Sequence, residues 1–267
     1  MDKKHPNEIR TVVRKKYGEV AKSDSFGCCT PVSSCCSESA TLLDNLGTLT
    51  GYSHEELSVA PEGSNMGLGC GNPQAIAALK PGETVLDLGS GGGFDCFLAA
   101  RQVGETGQVI GVDMTADMIA KARENALKGD YSNVEFRLGE IEHIPAADAS
   151  VDVIISNCVI NLSPQKMDVF REAYRILKPG GRLAISDVVA TAPLPPELKN
   201  DLDLLSACVS GAATVVEITA MLQETGFQDI QIQPKDESRE LIREWVPGKN
   251  VQDYIVSANI EAIKPKE

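Results

Sequence analysis

Between residues 84 and 188 the hydrophobic positions alternate between two periodicities. Short apolar runs bounded by turn residues predict strands, and longer segments with apolar residues three or four apart predict amphipathic helices. The predicted strands cover residues 84–88, 108–112, 134–138, 151–156 and 182–188, and the predicted helices cover 94–103, about 116–128 and about 163–178. Strands that alternate with helices pair in parallel through right-handed crossovers. The pattern therefore predicts an α/β fold with a doubly wound, mostly parallel sheet.

The amino-terminal side of this region has a different character. Residues 8–22 predict an amphipathic helix, whereas the stretch rich in Ser, Gly, Pro and Cys from Ser23 to about Ala40 predicts a loop. Ser53 followed by Glu56 forms a capping box, which predicts a short helix.

On the carboxyl-terminal side, Pro193-Leu194-Pro195-Pro196 interrupts the alternation. The later elements are a mixed segment over 197–213, a helix that Thr214 and Glu217 cap and that ends at Gly226, strands over 227–233 and 254–263, and a helix around 238–245. We expect three parts: a helix and Cys-rich loop over 1–65, a nucleotide-binding core over 66–190, and a carboxyl-terminal segment over 191–267.

Charge and hydropathy narrow the class of protein. The 267 residues include 38 Asp and Glu against 25 Lys and Arg, a net charge of −13. Such a surface repels nucleic acid and anionic membranes, so we expect neither as a partner. The longest apolar runs have five residues, and no apolar stretch follows the basic amino terminus. We therefore expect a cytoplasmic protein with no membrane span.

A glycine turn supplies the most specific local signal. The stretch Val85-Leu86-Asp87-Leu88-Gly89-Ser90-Gly91-Gly92-Gly93 follows a predicted strand and opens a predicted helix, as a nucleotide-binding turn does. At the end of the next strand, Asp113 can accept hydrogen bonds from both ribose hydroxyls. Asp87 would repel a pyrophosphate but attract the cationic methionine end of S-adenosylmethionine. We therefore predict a site for that cofactor, with a purely structural glycine turn as the alternative.

Eight cysteines are many for a protein expected in a reducing compartment, and they favour thiol chemistry or metalloid binding over structural disulfides. Cys158 directly follows the fourth strand, Cys70 lies in a Gly-rich turn and Cys208 lies in the mixed segment. Three thiolates from separate segments suit a soft, thiophilic ion. The alternative for each is a small buried hydrophobe, which is the interpretation that we adopt for Cys96. None of the three histidines lies where an acceptor would approach, so no general base is predicted.

Residues 66–190 resemble the class I S-adenosylmethionine-dependent methyltransferases. The resemblance includes the glycine turn, Leu177-Lys178-Pro179-Gly180-Gly181-Arg182-Leu183 before the fifth strand, and Gly139-Glu140-Ile141-Glu142, which in that family lies against the adenine. It implies a Rossmann-like core. The expected cofactor contacts are Asp87, Gly89, Ser90, Gly91, Asp113, Met114, Ile141, Glu142 and Asn157. Ordinary core packing is an equally good interpretation of Ile141.

Three cysteine-bearing motifs resemble a narrower family, the arsenite S-adenosylmethionine methyltransferases, and the resemblance extends over essentially the whole chain. The motifs are Gly67-Leu68-Gly69-Cys70-Gly71-Asn72-Pro73, Ser156-Asn157-Cys158-Val159-Ile160-Asn161 and Cys208-Val209-Ser210-Gly211-Ala212. The resemblance implies that Cys158 and Cys208 bind trivalent arsenic and that Cys70 joins in binding or in a disulfide relay. It also implies that the carboxyl-terminal segment covers the acceptor site and supplies the last strands of the sheet.

The relay of that family also uses a cysteine in the amino-terminal loop. Cys28 and Cys29 lie nearest the expected distance beyond the helix, whereas Cys35 and Cys36 are equally well interpreted as extra ligands, a separate soft-metal clip or loop residues. A methylated, pentavalent product needs two electrons before it can accept another methyl group. We therefore expect an external thiol reductant, such as thioredoxin or glutathione, as a partner.

The expected activity is methyl transfer from S-adenosylmethionine to thiolate-bound trivalent arsenic, first arsenite and then methylarsenite, in arsenic detoxification. Arsenic is the substrate, so no obligatory metal ion is expected. Two alternatives stay open: a methyltransferase for a small organic acceptor, which would need a base, and a non-catalytic protein that binds soft metalloids. A long apolar seam is missing from the sequence, so a monomer is expected.

Overall fold

The computed structural model of the chain describes residues 5–23, 36–199 and 201–266, with the backbone alone described at 36–42, 202 and 203. The helices are α1 (Pro6–Lys22), α2 (Cys36–Leu49), α3 (His54–Val59), α4 (Gln74–Ala77), α5 (Phe94–Val103), α6 (Ala116–Lys128), α7 (Lys166–Ile176), α8 (Pro196–Lys199), α9 (Leu202–Ser206), α10 (Val215–Thr225) and α11 (Arg239–Trp245). The strands are β1 (Thr84–Leu88), β2 (Gln108–Asp113), β3 (Val134–Leu138), β4 (Val151–Asn157), β5 (Leu177–Ala190), β6 (Ala213–Thr214), β7 (Gln228–Lys235) and β8 (Ile255–Ile263).

The strands form one sheet in the order β3-β2-β1-β4-β5-β8-β7, and β6 pairs with the end of β5. Strands β1 to β5 are parallel, whereas β8 runs antiparallel to both β5 and β7. The predicted doubly wound, mostly parallel sheet is therefore confirmed. The chain reverses its direction of winding between β1 and β4, so the carboxyl ends of these strands flank the crevice where such folds bind ligands.

Side chains on β1 alternate between two apolar layers, as the pleat of a strand requires. Val85 packs in the layer that contains Phe97 of α5, whereas Leu86 and Leu88 pack in the layer that contains Phe170 of α7. Both layers are closed to solvent, which explains why the strands read as short, nearly continuous apolar runs. Because Asp87 shares the face of Val85, its carboxylate lies under the start of α5.

Helix α2 is the main departure from the predicted elements. The Ser- and Cys-rich composition predicts a loop to about residue 40, but a helix begins at Cys36. Packing explains the difference, since a Cβ on Gly47 would lie 2.4 Å from Leu57 of α3. Tertiary contacts of this kind override weak local propensity.

One smaller difference concerns the start of strand β5. Strand β5 begins at Leu177 rather than near 182, because Leu177 pairs with Val151 of β4 and a bulge over residues 178–181 precedes the pairing of Arg182 with Val153. Helix α1 matches the predicted amphipathic helix, and His5 caps its first turn. In the described part of the chain, no helix has the length and apolar character that crossing a membrane requires.

Candidate active site

A pocket lies over the carboxyl ends of β1, β2 and β4. All nine residues predicted as cofactor contacts line it: Asp87, Gly89, Ser90, Gly91, Asp113, Met114, Ile141, Glu142 and Asn157. Cys158 lines the pocket as well. Ile141 lines the pocket and also packs in the apolar layer that contains Leu86 and Phe170, a position compatible with a cofactor contact and with ordinary core packing.

The glycine turn brings the backbone close to the pocket. Gly89 has a φ of +73°, and a Cβ there would lie 2.5 Å from a side-chain carbon of Val159, so the position requires glycine. The Gly91 amide donates to Asp113 at 3.1 Å, which fixes the carboxylate beside the turn. The hydroxyl oxygen of Ser90 is buried and has no hydrogen-bond partner among the described residues. A buried polar atom in a pocket wall suits a polar ligand.

Three carboxylates, those of the buried Asp87 and Asp95 and of the half-buried Asp113, give the pocket a negative interior. Burial raises the pKa of Asp95 to about 6, against the effect of hydrogen bonds from Tyr52 and Asn157. Burial and the nearby Asp95 raise the pKa of Asp87 well above its ordinary value, and burial also raises the pKa of Asp113. Within the described ranges, no Lys or Arg forms an ion pair with any of the three. This arrangement suits a cationic ligand.

A hydrogen-bond network connects this acidic wall to the turn that carries Cys70. The Tyr52 hydroxyl donates to Asp95 at 2.8 Å, and the Asn157 amide donates to Asp95 at 3.3 Å and to Gly71 at 2.8 Å. The Asn157 oxygen accepts the backbone N–H of Cys70 at 3.0 Å. Sequence reasoning missed Tyr52 and Asp95, although a carboxylate in the first turn of the helix after a glycine turn is a usable signal for Asp95.

The three predicted acceptor-site cysteines converge beside the pocket. The Cys208 thiol donates to the backbone oxygen of Cys158 at 2.9 Å, and the sulfur atoms of Cys158 and Cys70 lie within 4.8 Å of each other. The neighbouring thiols of Cys208 and Cys70, together with burial, raise the pKa of Cys158 well above its ordinary value. All three cysteines are buried. The prediction that separate segments bring these thiols together therefore agrees with the observed arrangement.

Both Cys158 and Cys208 adopt left-handed backbone, with φ of +58° and +59°. Residues other than Gly, Asn and Asp seldom adopt this conformation, which costs about 1–2 kcal/mol per residue. Strained backbone of this kind concentrates at functional sites. Contacts elsewhere in the fold must therefore stabilise the unfavourable backbone conformation that places these two thiols.

Asp187 is a fourth polar group at the thiol cluster, and sequence reasoning missed it. In the parallel register Asn157 lies opposite Ser186, which brings Cys158 and Asp187 side by side. The sulfur atoms of Cys70 and Cys158 and one Asp187 carboxylate oxygen all lie within 4.8 Å of one another. Burial raises the pKa of Asp187 to about 6, although three hydrogen bonds and the Lys166 ammonium favour its charged form.

Among the remaining cysteines, the structure describes the side chain of Cys96 only. Cys96 packs in the apolar layer beneath β1, as expected, and its thiol also donates to Asp87 at 3.3 Å. Cys28, Cys29 and Cys35 lie outside the described residues, and the side chain of Cys36 is likewise not described.

Helix α1 covers one side of the pocket. Its Arg10 side chain is buried and donates to one oxygen of Glu142 at 3.1 and 3.3 Å, and Ser163 donates to the same oxygen at 2.6 Å. The Tyr17 hydroxyl donates to the backbone oxygen of Ser206, two residues before Cys208. Helix α1 thus contacts both the wall of the pocket and the segment that carries one of the thiols. The sequence did not identify Arg10, since the contact lies 132 residues away.

Comparisons with known proteins identify the family of the chain. The family described as "Methyltransferase domain" matches residues 79–226. The arsenite methyltransferase of Halobacterium salinarum is 53% identical over 97% of this chain and 68% of its own length. The human arsenite methyltransferase is 35% identical over 82% of this chain and 58% of its own length, so the chain spans only part of these relatives.

Among solved structures, CrArsM of Chlamydomonas reinhardtii, described as an arsenic (III) S-adenosylmethionine methyltransferase, superposes with a TM-score of 0.61. It shares 35% identity, and the match covers 82% of this chain and 72% of CrArsM. The chain carries the fold of these enzymes, with a pocket at the carboxyl edge of its parallel strands and converging cysteines beside it. We conclude that the chain belongs to the S-adenosylmethionine-dependent methyltransferases and, within them, to the arsenite methyltransferase family.

Proposed function

We propose that this chain transfers methyl groups from S-adenosylmethionine to trivalent arsenic held by the thiolates of Cys70, Cys158 and Cys208. The observation that carries the proposal is the convergence of three thiols: the Cys70 and Cys158 sulfurs lie within 4.8 Å of each other, and the Cys208 thiol donates to the backbone oxygen of Cys158, which lines the pocket wall. The names of the relatives agree with this activity. The assignment of individual residues rests on the geometry and on the chemistry of each side chain.

The pocket residues fit the cofactor in both charge and polarity. Asp87 and Asp95 would attract its cationic methionine end, and Asp113 would accept hydrogen bonds from its ribose hydroxyls. Ser90 offers a buried hydroxyl that finds no partner elsewhere in the described structure. When bound, S-adenosylmethionine supplies an electrophilic methyl group on a sulfonium centre. The chain contributes a negative, largely buried wall that orients this cation.

The thiols serve a different purpose. Trivalent arsenic is soft and binds sulfur strongly, and its remaining lone pair is the nucleophile, so no general base is required. Three thiolates would hold the arsenic and leave that lone pair free toward the pocket. Fixing both reactants in one geometry can contribute up to about 7–11 kcal/mol to the lowering of the barrier. Alignment would therefore be the main contribution of the chain.

Methyl transfer raises arsenic from the trivalent to the pentavalent state, and thiolates bind that state poorly. Oxidation of two thiols to one disulfide releases two electrons and two protons, which returns arsenic to the trivalent state. We assign the thiol pair to Cys70 and one of Cys28 and Cys29. An external thiol reductant, such as thioredoxin or glutathione, would then regenerate the dithiol, and repeated cycles would serve arsenic detoxification in a monomeric enzyme.

The test is an assay with methyl-labelled S-adenosylmethionine, arsenite and glutathione, followed by chromatography of the arsenicals. The unmodified chain should yield methylated arsenic, whereas Cys158→Ser and Cys208→Ser should yield none while still binding S-adenosylhomocysteine. Arsenic binding without consumption of the cofactor would indicate a metalloid-binding protein instead. Turnover that persists in both variants would exclude the assigned acceptor site.

A further inference from the structure

The thiol cluster contains one ligand that trivalent arsenic does not need. Cys70, Cys158 and Asp187 come from the 67–73 turn, the end of β4 and the end of β5, and one donor atom from each lies within 4.8 Å of the other two. All three side chains are buried, with relative exposures of 4%, 6% and 2%. Arsenic bound by three sulfurs completes its coordination without the hard carboxylate oxygen. Asp187 is therefore positioned to bind an ion together with the two thiols, but the proposed methyl transfer does not require it.

We propose that this cluster also binds a divalent, thiophilic d¹⁰ cation, Zn²⁺ or Cd²⁺, through Cys70, Cys158 and Asp187. Such ions take four donors in a tetrahedron and accept thiolate and carboxylate together, with Zn–S of about 2.3 Å and Zn–O of about 2.0–2.2 Å. Donors that share one such ion lie no more than about 4.6 Å apart, close to the observed limit. A water molecule can complete the tetrahedron as the fourth donor, as it does at zinc sites with three protein ligands. Binding displaces the thiol protons to solvent.

Asp187 is already oriented for this purpose. Its carboxylate accepts hydrogen bonds from the Ile160 amide at 2.9 Å, the Asn161 side chain at 2.9 Å and the Val188 amide at 2.7 Å. An ionised carboxylate offers about four lone-pair sites, so one site remains for a cation after these three bonds. Metal ligands held by hydrogen bonds in this way bind more strongly than free ones.

The charge balance around the cluster also favours a cation. The deprotonated donors Cys70, Cys158 and Asp187 would carry three negative charges, of which a divalent ion neutralises two. The Lys166 ammonium, close enough to Asp187 to interact with it electrostatically, offsets the remaining one. A divalent ion in this position would occupy two thiols assigned to arsenic. Zn²⁺ or Cd²⁺ would then inhibit arsenic binding by competition. Unlike arsenic, the ion would depend on Asp187.

The test uses Cd²⁺ alone, added to the reduced full chain without cofactor or arsenic, so the outcome does not depend on whether methyl transfer occurs. To keep other thiols out of the measurement, the parent carries Cys28→Ser, Cys29→Ser, Cys35→Ser and Cys36→Ser. Thiolate-to-cadmium absorption, titrated against a competing chelator, gives the affinity. The parent should bind one Cd²⁺, and Asp187→Asn should weaken binding by at least about 10-fold.

Two further measurements make the result decisive. Asp113→Asn, which removes a carboxylate of the cofactor pocket, should leave Cd²⁺ affinity unchanged. Asp187→Asn should keep the affinity of the parent for arsenite and for S-adenosylhomocysteine, which also shows that the variant is folded. Equal Cd²⁺ affinity in Asp187→Asn and the parent would overturn the proposal. An equal loss of Cd²⁺ and arsenite affinity would overturn it as well, since Asp187 would then act on the thiols and not as a ligand.

Discussion

The thiol of Cys208 lies 2.9 Å from the backbone oxygen of Cys158, although 50 residues separate the two in the chain. Both residues adopt left-handed backbone, which glycine tolerates and cysteine does not favour. The fold thus brings together two thiols that local conformational preference alone would not place there. This pairing beside a negatively charged pocket is the basis of the proposed acceptor site.

The left-handed backbone at Cys208 predicts that a glycine variant is more stable than an alanine variant at this position. Cys208→Ala retains the unfavourable φ, whereas Cys208→Gly relieves it, so the glycine variant should be more stable by about 1 kcal/mol. Urea unfolding of the two variants measures this difference. At Ala173, inside α7, replacement by glycine should instead destabilise the protein, because that position is helical. Alanine equal to or better than glycine at 208 would show that the position is not strained.

Asn157 should couple the cofactor wall to the Cys70 turn. Asn157→Ala removes hydrogen bonds to Asp95, Gly71 and Cys70, and we expect the affinity for S-adenosylmethionine to fall by about 10-fold or more. Calorimetric titration measures the change. Asn133→Ala is the matched control, because the Asn133 amide bonds only to backbone at the end of α5 among the described contacts. A similar loss of affinity in both variants would indicate a general effect on folding.

Cofactor binding should depend on pH through the acidic wall. Asp95 has a pKa of about 6 because it is buried, so its carboxyl is mostly neutral at pH 5 and mostly charged at pH 7. Only the charged form attracts a cation, so affinity for S-adenosylmethionine should rise about 10-fold over this range. Asp87, whose raised pKa has the same main cause, acts in the same direction. Titrations at several pH values test this, and Asp95→Asn should flatten the profile.

The same raised pKa predicts the opposite trend for stability without cofactor. The folded state binds the Asp95 proton more tightly than the unfolded state, whose ordinary value is 3.8. This contribution is fully present below that value and is lost as the pH rises through about 6. The cofactor-free protein should therefore lose stability between pH 5 and pH 7, as followed by urea midpoints. The assigned pKa would be contradicted if the urea midpoint of the unmodified chain rose steeply from pH 5 to pH 7 while the midpoint of Asp95→Asn stayed constant.

The buried pair of Arg10 and Glu142 should be strongly coupled. Arg10→Met leaves the Glu142 carboxylate buried without its cation, and we expect a loss of about 3–5 kcal/mol in the free energy of unfolding. The double variant Arg10→Met, Glu142→Gln should recover much of this loss, because no unpaired charge remains. A double-mutant cycle from urea unfolding gives the coupling energy. Additive single effects would mean that the pair does not hold α1 against the pocket.

Local patterns predicted most of the fold. Strand β1 and helix α5 have the predicted bounds, because the glycine turn between them and the apolar runs are encoded within a few residues. The prediction of a loop up to about residue 40 was wrong at the start of α2. The Ser- and Cys-rich sequence there is typical of a loop, and the helix is favoured by its packing on α3. The division at residues 65 and 190 stays a prediction.

The residues of the candidate site also fall into those that local sequence predicts and those that it does not. Cys158 and Asp113 could be predicted because each follows a strand at the edge where ligands bind. Asp187 and Arg10 could not, because their importance depends on register and on contacts between distant segments. The amino-terminal cysteines stay predictions, since Cys28, Cys29 and Cys35 lie outside the described residues.

X-ray absorption at the arsenic edge identifies the atoms bound to arsenic and thereby tests whether the three thiols form the acceptor site. The sample is the reduced chain loaded with one equivalent of arsenite, with Cys28, Cys29, Cys35 and Cys36 replaced by serine. Arsenic should be bound by three sulfur atoms, and Cys70→Ser, Cys158→Ser and Cys208→Ser should each replace one of these with a lighter atom. A spectrum unchanged in any of the three variants would contradict the proposed thiolate site.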